Sequence, residues 1–189
     1  GEPDPVSAEE REARYGQRPA TILLTGLAGS GKTRLGALLE RALFDLGRVA
    51  VRLDGTTMRR GLNRDLGFDA RDRSENLRRS METAKLVNDD GLLCIAAFVA
   101  PLAATRQKAA ELIGDDRFLV VHCAAPLEHC QSNDSTGLYA EVKAKDLENI
   151  PGVDFDYEPP EDPDLRLPTH ELAPEESVNL ILDLLRSKG

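Results

Sequence analysis

The eight residues Gly26-Leu-Ala-Gly-Ser-Gly-Lys-Thr33 fit the pattern G-x-x-x-x-G-K-[ST] and constrain this chain more than any other feature. Such a loop works where a strand delivers the backbone into it and a helix carries the backbone away. The apolar run Ala20–Leu24 precedes it, and the helically spaced segment Leu35–Leu46 follows. Glycine lets the main chain come close to a ligand, so that successive N–H groups surround phosphate oxygens. Gly26, Leu27, Ala28, Gly29, Ser30, Gly31, Lys32 and Thr33 are therefore expected to hold a nucleoside triphosphate. In that setting Lys32 reaches the β- and γ-phosphates and the Thr33 hydroxyl joins the shell of a Mg²⁺ ion.

Downstream, apolar runs alternate with helical spacing. Strands are predicted at Ala20–Thr25, Val49–Leu53, Leu92–Phe98 and Phe118–Cys123, with a short fifth near Leu165–Leu167. Helices are predicted at Lys32–Leu46, Ser74–Asp89, Ala103–Leu112, Pro126–Ser132 and Pro174–Ser187. Strands apolar throughout and separated by helices imply an α/β fold, a parallel sheet sandwiched between helices. Residues 1–18 read as an N-terminal extension or linker, in which Ser7-Ala-Glu-Glu10 forms a capping box for a short helix to about Tyr15. Residues 19–189 read as one domain, and the polar stretch Asn133–Pro163 as a mobile lid.

Composition narrows the function classes. A net charge of −9 in 189 residues argues against general attraction to nucleic acid or an anionic membrane. No apolar run approaches the roughly 20 residues that span a bilayer. The opening Gly1-Glu-Pro-Asp-Pro5 has neither the basic nor the apolar region of a signal peptide. Cys94, Cys123 and Cys130 make no disulfide framework, so a reducing cytoplasm is the expected location.

Two further features suit phosphoryl transfer. Val49-Ala-Val-Arg-Leu-Asp54 is an apolar strand ending in a carboxylate. Beside a phosphate loop, Asp54 is a candidate for Mg²⁺ binding or general-base duty, while a turn or helix cap is the plainer alternative. Arg59–Arg79 holds seven arginines against four acids, a local excess of three positive charges in an acidic chain. Guanidinium forks suit oxyanions. A solvated helix face explains Arg78 and Arg79, whereas Gly61-Leu-Asn-Arg-Asp-Leu-Gly-Phe68 looks like the wall of a pocket for a second, anionic substrate.

These residues resemble the adenylylsulfate kinase family, a P-loop kinase group. The resemblance is carried by the phosphate loop, Leu53-Asp-Gly55, Met58-Arg59, Gly61–Phe68, Asp72-Arg73 and Glu75-Asn-Leu-Arg-Arg79. Downstream, Gly137-Leu-Tyr139, Pro151-Gly-Val-Asp154 and Tyr157-Glu-Pro-Pro160 look like the lid of that family. The similarity spans about Gly16 to Leu185. It implies transfer of the ATP γ-phosphoryl, with Mg²⁺, to the ribose 3′-hydroxyl of adenosine 5′-phosphosulfate, giving 3′-phosphoadenosine 5′-phosphosulfate. Carried over by position, it puts Arg59, Arg73 and Asn76 on the phosphosulfate and Phe68 against the adenine. Val99, Ala100 and Ile150 join the acceptor wall, and Asp54 stands between Mg²⁺ and the attacking hydroxyl. The resemblance also implies a homodimer, possibly fused to or working with ATP sulfurylase.

The chain departs from the family pattern at Thr56, at Ala100, Leu102 and Ala103, at Thr136 and at Ile150, the last in place of a lid phenylalanine. Lys143 and Lys145 still supply lid charge. Two other readings therefore stay open: a kinase of this fold with another nucleotide-like acceptor, and a silent nucleotide-binding domain regulating a sulfurylase. Intact Lys32, Thr33 and Asp54 weigh against the silent one. His122-Cys123 and His129-Cys130 invite a zinc reading, but no paired C-x-x-C accompanies them and half-buried packing is the ordinary alternative.

Overall fold

In the computed structural model the described residues are 1–145 and 147–189; the side chains of Lys143 and Lys145, read as lid cations, lie outside the description. Five strands, β1 (Thr21–Thr25), β2 (Ala50–Asp54), β3 (Leu93–Ala97), β4 (Phe118–Cys123) and β5 (Leu165–Leu167), form one sheet. Their order is β2-β3-β1-β4-β5 and every pairing is parallel. The helices are α1 (Ala8–Tyr15), α2 (Lys32–Asp45), α3 (Gly55–Arg60), α4 (Ala70–Asp89), α5 (Ala103–Ile113), α6 (Leu127–Ser132), α7 (Leu138–Lys145) and α8 (Pro174–Ser187).

The central strand β1 shows why the sheet is covered twice. Its side chains alternate across the sheet. Ile22 and Leu24 enter a layer with Leu35, Leu39 and Leu43 of α2 and Val178 and Ile181 of α8. Leu23 faces the other way, against Leu77 and Met81 of α4 and Ala109 and Ile113 of α5. Full burial of an aliphatic side chain stabilises by about 1.5–3 kcal/mol. Two such layers hold the sheet in a chain with 4% aromatic residues and no tryptophan.

Register sets the level of the functional ends. Asp54 pairs with Ala97, Leu24 with both Ala97 and Val121, and Thr25 with His122. The β3–β1–β4 arrangement makes β1 the switch point, and the crevice outside the carboxyl ends of such strands is where α/β sheets bind ligands.

Several boundaries differ from the sequence reading. Ala20 lies outside β1, and β2 runs one residue later than expected, so Asp54 belongs to the strand. The segment after it is helix α3 rather than a simple turn, because Asp54 accepts from the Thr57 N–H at 2.8 Å and caps it. Helix α4 begins at Ala70, a turn before Ser74, since Asp69 accepts from the Asp72 N–H at 2.8 Å. The stretch read as a polar lid contains a helix, α7. The Ser7–Glu10 capping box is formed, with both reciprocal bonds present.

At the opposite end of the sheet, the Gln17 side chain ties the chain before β1 to two other strands. Its amide donates to the carbonyls of Val49 and Gly91 at 2.9 and 3.0 Å and accepts from the Val49 N–H at 2.9 Å.

Candidate functional site

The phosphate loop joins β1 to α2. Gly29 and Gly31 have φ of +83° and +91°, a region that favours glycine. At Gly29 a Cβ would also fall 2.5 Å from the Cys130 carbonyl oxygen. The loop is thus fixed by its own conformation and by the neighbouring helix α6. Ser30 is buried, and its Oγ has no hydrogen-bond partner among the described residues. An unpaired buried hydroxyl is costly, which suits a loop whose bonding is completed by a ligand. The N–H groups of the first turn of α2 have no partner within the helix and give it a positive end. Thr33 is exposed in that turn.

Lys32 is 8% exposed and donates to the Leu27 carbonyl at 2.7 Å. Burial pulls its amine down to about 8, against smaller opposing effects of Cys123 and Cys130. A buried cation satisfied by a single carbonyl has donors left over for an anion.

Asp54 follows at the end of β2 with 14% of its side chain exposed. Its oxygens accept from the Thr57 N–H and from the Thr57 hydroxyl at 3.0 Å, and Arg52 lies 3.6 Å away. The cap and the chemical role are compatible, because a carboxylate has about four lone-pair sites and the cap takes two.

The arginine-rich segment folds as α3, a loop, and α4. Arg59 donates to the Leu66 and Gly67 carbonyls at 3.0 and 2.8 Å, and its guanidinium carbon lies 4.0 Å from the Phe68 ring centroid. Arg73 donates to the Phe68 carbonyl at 2.9 Å and lies 5.5 Å from the same ring. Burial, then Arg59, pulls Arg73 down to about 10, with Asp154 opposing, so it stays charged at neutral pH. Arg59, Phe68 and Arg73 are therefore brought together as expected. Asn76 lies beneath them in α4, where its side-chain oxygen accepts from the Asn63 amide at 3.0 Å. Asn63 is fully buried and also reaches Ser80. Arg79 is spent on Asp65 and Glu75, and Arg78 on Glu75, as a surface face predicts.

The lid touches both regions. Tyr139 donates its hydroxyl to the Ala28 carbonyl of the phosphate loop at 2.7 Å. Arg73 reaches the Asn149 carbonyl at 2.5 Å. Ile150, read as part of the acceptor wall, is placed elsewhere: it is 6% exposed and packs with Ala125, Cys130 and Tyr139 against Leu27 and Ala28. Its aliphatic side chain gains more from that cluster than from the charged cleft.

Val99 and Ala100 stand at the end of β3. The Thr25 hydroxyl donates to the Val99 carbonyl at 2.6 Å and lies 3.0 Å from the Tyr157 hydroxyl. Ala100 has φ of +45°, uncommon for a residue with a Cβ. Its carbonyl accepts from Arg106 at 2.6 Å, and Arg106 also reaches the Glu158 carbonyl at 2.5 Å. Glu158 in turn accepts from the Ala103 N–H at 2.6 Å at the start of α5. Sequence reading missed Arg106. The available signal was a charged residue sharing the inward helical spacing of Ala109 and Ile113. Replacing Arg106 by methionine removes the donor from two carbonyls, of which that of Ala100 is buried. The substitution is expected to lower stability by about 2–3 kcal/mol and Tm by roughly 5–10 °C, checked by thermal denaturation.

His122 is buried and stacks on Tyr157, with ring centroids 5.9 Å apart. Burial, followed by Arg166 and Arg106, pushes it down to about 4, so it is neutral at physiological pH. Among the described residues no group of three or more histidine, cysteine or acidic side chains could hold a metal ion. The three cysteines are free and buried, and burial raises the Cys94 and Cys123 thiols to about 12 and about 11. No helix of the described residues is long and apolar enough to cross a membrane.

Known proteins share this arrangement. The family model for adenylylsulphate kinase matches residues 18–168. A bifunctional enzyme CysN/CysC of Rhodopirellula baltica is 52% identical over 184 residues, covering 97% of this chain and 28% of the relative. The bifunctional enzyme NodQ of Azospirillum brasilense is 45% identical, with 30% of its length covered. The chain thus spans less than a third of these two bifunctional relatives. An adenylyl-sulfate kinase of Phocaeicola vulgatus is 43% identical over 95% of this chain and 88% of its own length. Among solved structures, the Mycobacterium tuberculosis APS kinase CysC in complex with AMPPNP and APS superposes with a TM-score of 0.85 at 40% identity. That match covers 90% of this chain and 99% of the other.

Proposed function

Because the chain belongs to the adenylylsulphate kinase family, we propose that it transfers the γ-phosphoryl group of ATP to the 3′-hydroxyl of adenosine 5′-phosphosulfate. One observation carries this reading: a single lid touches a phosphate loop on one side and an arginine–aromatic cluster on the other. Two anion-binding regions closed by one cover suit the joining of two anionic substrates away from water.

Gly26–Thr33 holds the triphosphate, with the Ser30 hydroxyl and the Lys32 ammonium completing the cradle. The exposed Thr33 hydroxyl and the Asp54 carboxylate are hard oxygen donors and fit Mg²⁺. When bound, that ion neutralises charge on the phosphates. Asp54 accepts the proton of the attacking hydroxyl. Arg59 and Arg73 offset the acceptor's negative charge, Phe68 takes its base, and Asn76 holds the acceptor loop through Asn63. A homodimer, cytoplasmic residence and action beside an ATP sulfurylase extend the same reading; the two bifunctional relatives support a second activity next to this one.

A second reading keeps the kinase but changes the acceptor to another nucleotide-like anion. The placement of Ile150 away from Phe68 favours it. One assay separates the two: ADP release with ATP and Mg²⁺, supplied with adenosine 5′-phosphosulfate or with other nucleotides. Turnover with the phosphosulfate alone supports the first reading, and turnover only with another acceptor replaces it. Nucleotide binding without any turnover defeats both.

Lys32 also predicts a pH dependence. Its ammonium form attracts phosphate and its amine form does not, and the free protein crosses between them at about 8. Affinity for a non-hydrolysable ATP analogue is expected to be level below that pH. Above it, affinity falls by up to roughly ten-fold per pH unit, measured by calorimetry.

A further inference from the structure

An aromatic ring that stands half in solvent with guanidinium groups against it can stack on any flat partner. Phe68 is such a ring, 52% exposed and flanked by Arg59 and Arg73. The Arg73 guanidinium carbon also lies 5.4 Å from the centroid of a second ring, Phe155 in the lid. The turn that carries this ring is closed by its own hydrogen bonds. Asp154 accepts from the N–H groups of Asn149 and Ile150 at 2.8 and 2.6 Å. The Val153 and Phe155 N–H groups turn back to the Ile150 carbonyl, and the Gly152 N–H donates to the Phe155 carbonyl at 2.8 Å. Arg73 joins the two sides through the Phe68 and Asn149 carbonyls. Ile150 is buried against the phosphate loop and offers this space nothing.

We propose that Phe155 is the lid-side wall of the acceptor site, and that the Arg73 guanidinium keeps the space beside Phe68 and Phe155 until a purine base enters it. The inference rests on the kinase reading and deepens it by naming the residue that selects a flat base. On binding, Arg73 turns to the acceptor's anion and the base takes over its contacts with the rings. One planar group replaces another, and neither ring is left bare.

The test compares Phe155→Leu and Phe155→Tyr with the unaltered enzyme, varying ATP and adenosine 5′-phosphosulfate separately. Phe155→Leu is expected to raise KM for the phosphosulfate roughly ten-fold while leaving KM for ATP within about two-fold, and Phe155→Tyr to restore it. Because the chain has no tryptophan, Phe155→Trp supplies a single tryptophan, excited apart from the tyrosines, whose emission adenosine 5′-phosphosulfate, but not ATP alone, should quench. Unchanged phosphosulfate KM in Phe155→Leu, or tryptophan emission indifferent to it, overturns the proposal. An unaltered enzyme that does not turn over the phosphosulfate defeats the adenosine 5′-phosphosulfate reading instead, a result in which no Phe155 variant takes part.

Discussion

Lys32→Ala is expected to lower kcat/KM by at least about a thousand-fold while the protein stays folded. The amine is buried yet bonded to the Leu27 carbonyl alone. Burial disfavours its charged form, so its presence costs the ligand-free protein stability rather than adding to it. Removing it relieves that cost, and alanine is a good helix former at the first position of α2. The melting temperature should therefore hold or rise as activity disappears. Single-turnover kinetics beside a thermal melt checks both. A protein that loses activity and melts markedly earlier would make Lys32 a structural residue.

Asp54→Asn is the second large effect, a fall in kcat of about 10²–10⁴-fold. The choice of asparagine matters because Asp54 does two things. Its carboxylate caps α3 through Thr57, and asparagine caps a helix about as well. The amide keeps the cap but removes the charge that suits Mg²⁺ and the basicity that takes a proton. The expected signature is reduced kcat with unchanged stability and a raised Mg²⁺ requirement, measured by titrating the metal in the steady state. Asp54→Ala should lose about 1 kcal/mol of stability as well, because the cap goes with the charge.

The sheet was legible in the sequence because its inner strands are mostly apolar and its phosphate loop announces both neighbours. The helices α2 and α8 showed the same clarity through 3.6-residue spacing. Asp54 was legible as a carboxylate at a strand end, but the short helix it starts was not, since six residues carry too little periodicity. Asp69 as a cap was hidden among other acids in a charged run. The lid was the poorest case. Its polar composition suggests an open loop, whereas α7, the Asp154-bonded turn and the Tyr139 contact organise it. Ile150 was expected in the acceptor wall, yet it packs against the phosphate loop, while Phe155, five residues later, lies beside Arg73. Tertiary packing chose between them, and no local pattern encodes that choice.

The Gln17 amide bonds backbone groups at the foot of the sheet, just before β2 and β3 begin. A fragment starting at residue 19 would hand those groups back to water and loosen two adjoining strands at their origin. A fragment that keeps Gln17 is therefore expected to melt later than one that starts at residue 19, which would move the working boundary toward the amino end.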